Sequence, residues 1–313
     1  MEQYLLGTWT LSFSLLSVIG NSFVLRGIKH LRLDRITKVF IKHLAVADIL
    51  NSLGNLIIAW FQFTKITFFQ DMALYCKFHT RYVYILGSMD IFFVAAINVS
   101  KVHILVYPMD ARSRQRLTGE LIAAAGWLFH TTSQLIATIY SYVTNTGQGF
   151  FARSWYQCTI LGMNKRLNFI NVLIGVVIPT ITVLGSTIWM LQFVRRRVQG
   201  YWATILMPIM VSAVFFFSFT PFTITNVYRT NYEGQPELEQ PWFILSARYA
   251  MCLVIVNYCA NPLIYFFTIR SFKDWCLKLV GMSGEPDHMP MTRSKEGTST
   301  QQGGEKRAAS SVL

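Results

Sequence analysis

Long apolar runs alternate with short polar links along almost the whole chain. The runs fall at about 4–26, 39–63, 79–106, 119–142, 167–194, 203–228 and 242–267. A helix needs about 20 apolar residues to cross a bilayer, so the pattern predicts seven spans. Four links carry half of the basic residues. They hold Arg26, Lys29, Arg32, Arg35 and Lys38; then Arg112, Arg114 and Arg116; then Arg195, Arg196 and Arg197; then Arg270, Lys273 and Lys278. All four fall on one side of a chain that crosses seven times. The positive-inside rule makes that side cytoplasmic and puts the N-terminus outside. After the last run, RSFKDWCLKLV at 270–280 sets Phe272, Trp275, Cys276 and Leu279 against Lys273, Asp274 and Lys278. That spacing predicts an amphipathic helix along the inner surface. From Gly281 the chain turns to Gly, Ser, Thr, Lys and Glu, the composition of a disordered cytoplasmic tail. The expected fold is an all-α membrane protein. A seven-transmembrane helix bundle with a short amphipathic eighth helix fills 1–280, and a tail occupies 281–313.

Composition supports this. Of 313 residues, 53% are hydrophobic and 14% charged, against about a quarter charged in soluble domains. The net charge of +13 invites a nucleic-acid reading, but the charge sits in the links between spans, so no nucleic-acid partner is expected. The first residues lack a basic n-region and a small-residue cleavage site, and read as a retained first span. The five cysteines form no zinc spacing. No nucleophile–base or metal constellation emerges, so an enzyme is not expected. A transporter would show paired repeats with broken helices, and none is visible.

The polar residues inside the apolar runs carry the functional signal. VIVNYCANPLIYFF at 254–267 holds Asn257, Asn261 and Pro262 within two turns. Pro262 removes a backbone donor, and membrane helices tolerate that only where neighbours restore the lost bond. Asp48 lies in LAVADIL and Asp90 in GSMDIFF. Ionisable groups at this depth face the bundle interior and need partners. One reading is isolated protonated carboxyls. The sharper one is a shared site of Asp48, Asp90, Asn257 and Asn261, with Asn21 nearby, for a hard cation such as sodium or for a shared proton. Pro179 and Pro221 interrupt two further runs, as static kinks or as hinges among aromatics. Cys76 and Cys158 both fall on the outer, oxidising side, where a bridge would pin the fourth-to-fifth link over the bundle mouth. Cys276, in the amphipathic helix, is a candidate for lipidation.

These landmarks, taken in register, resemble the rhodopsin-like (class A) G protein-coupled receptors. Gly20-Asn21, Leu44-Ala45-Val46-Ala47-Asp48, Cys76, Trp127, Cys158, Pro179, Pro221 and Asn261-Pro262-Leu263-Ile264-Tyr265 appear in the family's order across about 4–280. The resemblance implies a plasma-membrane receptor with a Cys76–Cys158 disulfide. It implies no cofactor beyond an allosteric sodium ion in a water network of Asn21, Asp48, Asp90, Asn257 and Asn261. It assigns activation to Ile91, Pro179, Phe215, Phe219, Pro221, Pro262 and Tyr265. It sets a heterotrimeric G protein against Ser100, Lys101 and Val102, through outward movement of the sixth helix.

The sequence departs from that family at the same place. Ser100-Lys101-Val102 stands where the family has Asp-Arg-Tyr. Lys101 keeps the charge but not the planar fork of arginine. Ser100 cannot form the ion pair that quiets that arginine. Phe219 replaces the hinge tryptophan, Thr187 the fifth-helix tyrosine, and Asp90 a serine. The alternative is therefore a receptor-like scaffold or decoy that does not couple.

The expected ligand pocket is aromatic and amide-rich: Tyr82, Val83, Tyr84, Gly87, Asn168, Asn171, Phe222, Thr223, Asn226, Arg229, Arg248 and Met251. Val83 stands where amine receptors carry an aspartate, and Ile255 near where opsins carry a lysine. A short peptide is the leading ligand, with a small anion or lipid behind it. Arg229 and Arg248 suit a carboxylate, or simply snorkel to the interface. The end of the chain, Ser311, Val312 and Leu313, suits a PDZ groove, and the hydroxyls of the tail suit phosphorylation and an arrestin.

Overall fold

A computed structural model describes residues 2–64, 72–107, 115–143, 169–170, 172–196, 202–231 and 240–282. The helices are α1 (Glu2–Gly27), α2 (Arg35–Thr64), α3 (Met72–Val106), α4 (Gln115–Val143), α5 (Ile178–Arg196), α6 (Trp202–Asn231), α7 (Pro241–Thr268) and α8 (Arg270–Leu279). A π-helical turn, Leu173–Val177, leads into α5. No strand occurs among the described residues.

Six of the described helices are long and apolar enough to cross a membrane. Among the seven long helices the exception is α4, which carries Arg116, Glu120, His130 and the run Thr131-Thr132-Ser133-Gln134. It packs into the bundle all the same, against α2 and α3. The central helix is α3, in contact with α2, α4, α5 and α6, while α1 lies along α2 and α7.

The distribution of polarity is that of a soluble protein turned inside out. Leu128, Phe217 and Phe267 are 71–80% exposed, while Asn21, Asp48, Asp90 and Asn98 have no exposed surface. In water, an apolar exterior of this kind would drive aggregation; in lipid it is the solvated face. The chain thus forms a multi-pass membrane bundle.

Between α7 and α8 the helix breaks at Ile269, whose backbone is extended. The buried Phe272 and half-buried Trp275 stack on one another, with ring centroids 5.7 Å apart. Trp275 also stacks on His30, beyond the end of α1, at 5.4 Å. The opposite face of α8, Lys273, Asp274 and Lys278, is exposed.

Candidate functional site

Pro262 has no N–H, so the carbonyl of Tyr258, four residues earlier, lacks its helical donor. Two side chains of α1 take that place. Asn21 Nδ2 donates to Tyr258 O at 2.9 Å and Ser17 Oγ donates to it at 3.1 Å. Close approach makes this reach possible. A Cβ on Gly20 would stand 3.0 Å from Pro262 Cβ and Cγ, so a side chain there would push the helices apart.

One turn further in, Asn261 Nδ2 donates to Asp48 Oδ2 at 2.9 Å. Asn51 Nδ2 donates to Asp90 Oδ2 at 2.8 Å. Asn257 is buried one turn along from Asn261. Asp48 Oδ1, Asp90 Oδ1, Asn21 Oδ1 and the Tyr265 hydroxyl are buried without a hydrogen-bond partner. Three acceptor oxygens thus stand unmatched in the bundle centre, a donor set that suits a hard cation or a proton. Asn51 was not among the residues expected here. It lies three residues beyond Asp48 on α2, and only its pairing with Asp90 reveals its part.

Below this centre, Asn98 Nδ2 donates to Ser212 Oγ at 2.9 Å, tying α3 to α6. Thr187 of α5 reaches the same hydroxyl at 3.3 Å. Thr187, noted as the replacement for a tyrosine, therefore bonds α6 directly. Ile91 and Phe215 are fully buried, and the rings of Phe215 and Phe219 lie 4.9 Å apart. Pro179 stands elsewhere. It borders a cavity of about 600 Å³ between α2, α3, α4 and α5, with Phe92, Ala95, Ala96 and Thr182. Pro221 lies within α6 on the rim of a separate recess beside Phe217 and Ile224.

A cavity of about 50 Å³ opens above Ile91 and Phe219. Its walls are Val83, Tyr84, Gly87 and Ser88 of α3, Val172 and Val176 at the start of the fifth span, and Phe222, Thr223, Asn226 and Val227 of α6. The π-helical turn brings Gly175 so close that a Cβ there would lie 2.8 Å from Ser88 Oγ. Six of the expected pocket residues meet at this cavity. Tyr82 does not. Its ring lies over Gly54, and its hydroxyl donates to the Leu50 carbonyl of α2. A helix advances about 100° per residue, which turns Tyr82 toward α2 while Val83 faces the cavity. Arg248 and Met251 are half-buried on α7, away from the described lining. Asn168, Asn171, Cys158 and the chain end Ser311, Val312 and Leu313 lie outside the described residues, as do the side chains of Cys76 and Arg229. Cys252, Cys259 and Cys276 are free thiols.

At the basic end, a cavity of about 1040 Å³ is bounded by Arg32, Asp34, Lys101, Thr204, Met207, Arg270 and Lys278 among others. Ser100 Oγ contacts Thr37 Oγ1 at 3.1 Å and donates to Ile97 O at 2.8 Å. Val102 is half-buried and packs with Leu105 against Met190, Val194 and Ile205. Lys101 is only 3% exposed, and its Nζ lies 2.5 Å from Asp34 Oδ2. Asp34 was read as part of a basic link. As its one acidic residue, it carried the only signal that could have marked it.

A helical bundle with an apolar exterior, a polar centre and a cavity at either end of α3 and α6 has the build of a membrane-spanning receptor. Residues 20–265 match the sequence model of the family described as 7 transmembrane receptor (rhodopsin family), and the chain belongs to that family. It is 26% identical over 254 residues to lysophosphatidic acid receptor 4 of Homo sapiens, covering 76% of this chain and 66% of that protein. It is 24% identical over 268 residues to somatostatin receptor type 5 of Rattus norvegicus, covering 81% and 71%. It is 25% identical over 278 residues to cysteinyl leukotriene receptor 1 of Cavia porcellus, covering 83% and 81%. The family is one of receptors and not of enzymes, in line with the sequence reading.

Proposed function

We propose that the protein is a plasma-membrane receptor that passes the binding of an extracellular ligand to a heterotrimeric G protein. In this reading the N-terminus lies outside and the basic end in the cytoplasm. The observation that carries it is the cavity at the basic end with Lys101 in its wall. A cationic side chain at the base of α3 is what the transducer of this family meets. The ligand enters beside Tyr84, Phe222 and Asn226 and displaces the packing of Phe215 and Phe219. The pair Asn226 and Tyr84 favours a short peptide. The relatives are named for both peptide and lipid ligands, so a lipid is the second class. A sodium ion held by Asp48 Oδ1 and Asp90 Oδ1 would stabilise the inactive bundle by offsetting one buried negative charge, with a proton on the other carboxyl completing the balance. Arrestin and a PDZ protein complete the expected partners on the tail.

The second reading is a receptor-like scaffold that does not couple. Ser100-Lys101-Val102 favours it, because lysine lacks the two-pronged donor of arginine. One experiment separates them: a peptide and lipid ligand screen with a promiscuous G protein readout, run beside the Lys101→Arg variant. Ligand-dependent nucleotide exchange in either arm supports the receptor reading. Silence in both arms, with the protein at the cell surface, moves the assignment to the scaffold.

A further inference from the structure

The family restrains the arginine at the base of its third helix with the neighbouring aspartate. Here that position is Ser100, which is occupied with Thr37 and a backbone carbonyl. A buried ammonium left alone at Lys101 would cost several kcal/mol (roughly,). Asp34 removes that cost from a different part of the chain. It is the N-cap of α2, and its Oδ1 accepts the Thr37 N–H at 2.8 Å. The same carboxylate turns Oδ2 to Lys101 Nζ at 2.5 Å. The cap fixes the position of Asp34, and the cap in turn fixes where the ammonium rests. The other carboxylate on the cavity wall, Asp274 of α8, is exposed.

We propose that Asp34 is the positioning residue that pins Lys101 against the first link, in the wall of the cavity at the basic end, so that release of this one contact frees the cation to meet a transducer. This deepens the receptor reading and rests on it for the transducer alone. Burial raises the Asp34 carboxyl, and the Lys101 charge together with the Thr37 hydrogen bonds outweighs it and leaves the group below its ordinary range.

Asp34→Asn is the informative variant, because asparagine caps helices about as well as aspartate and only the charge is lost. The full chain in detergent is treated with an N-hydroxysuccinimidyl acetate, and lysine modification is read peptide by peptide. Exposed Lys29 and Lys273 serve as references. Buried Cys259, probed with a maleimide, reports that the bundle is intact. The expected result is low modification of Lys101 in the parent and a rise of about fivefold in Asp34→Asn, the equivalent of about 1 kcal/mol. Asp34→Glu should keep Lys101 protected. Equal modification of Lys101 in parent and Asp34→Asn overturns the proposal. Should Asp34→Asn expose Cys259, the exchanged pair Asp34→Lys with Lys101→Asp decides: a folded protein supports the contact, and an unfolded one overturns it. Labelling needs no transducer. A rise at Lys101 without nucleotide exchange on any G protein would leave the restraint standing and remove the coupling.

Discussion

Asn21 donates to the carbonyl of Tyr258, the acceptor that Pro262 leaves without its helical partner. A residue of α1 thus completes the backbone of α7 at the turn that Pro262 interrupts. Beside that turn Asn261 donates to Asp48, and the Tyr265 hydroxyl is buried without a partner. A break in the ladder, its repair and the polar centre are one connected arrangement.

Asn21→Leu keeps the branched outline of the side chain and removes the donor. Hydrogen bonds between membrane helices are worth about 0.6–1.7 kcal/mol, and an orphaned carbonyl adds to the loss. The expected outcome is a clear fall in the midpoint of thermal unfolding in detergent. Ser17→Ala, which removes the second donor to the same carbonyl, should lower it further in the double variant than in either single one. An unchanged midpoint in the double variant would mean that α1 does not support the Pro262 turn.

The unmatched oxygens of Asp48 and Asp90 make a second prediction. Replacing choline by sodium at constant ionic strength should raise the unfolding midpoint of the parent. Asp48→Asn should abolish the rise, and Asp90→Asn should reduce it. A parent indifferent to sodium would leave the proton, and not the cation, as the occupant of this centre.

How much of this was legible in the sequence differs from site to site. The spans were legible because a bilayer demands long apolar runs whatever the packing. The partners of Pro262 were foreseeable in kind, since a missing N–H must be replaced, and Asn21 was foreseen near the centre. Tyr82 was misplaced because composition names the residues of α3 but not the face each one takes. The π-helical turn at Leu173–Val177 left no mark, because it shifts the register of an apolar run without changing its character. Asp34 was absorbed into the sum of a basic link. A charge count erases the one residue whose sign differs, and here that residue is the one that pairs.

The Asp34 carboxyl also sets a pH dependence. Its folded-state value lies below the ordinary one, so its contribution to stability is fully present above the unfolded value of about 4. It is lost as pH falls through the depressed folded value. The parent should therefore exceed Asp34→Asn in thermal midpoint at pH 7 and pH 6. The gap should begin to close as pH drops through about 4 and narrow further below it. A gap that stays constant down to pH 3.5 would mean that the aspartate acts through its shape alone.

Trp127 supplies the last case. An indole N–H only donates, and Trp127 Nε1 stands 3.3 Å from His43 Nδ1. In neutral His43 the ring proton therefore sits on Nε2, which donates to Glu120 Oε2 at 3.0 Å. Glu120 also accepts from Lys42 Nζ at 3.1 Å. Trp127 and Glu120 of α4 thus fix one tautomer of His43 on α2, and with Lys42 these contacts hold α4 to its neighbour. Glu120→Gln removes the charge and offers an amide that satisfies only one of the two donors. Trp127→Phe removes the far end of the chain without opening a large void. If the tautomer links them, the two changes are coupled, and the double variant should cost less than the sum of the singles by about 0.5 kcal/mol or more. Strict additivity in a thermal or denaturant cycle would reduce the arrangement to two independent contacts. Coupling of that size would make His43 the joint through which α4 is registered on α2.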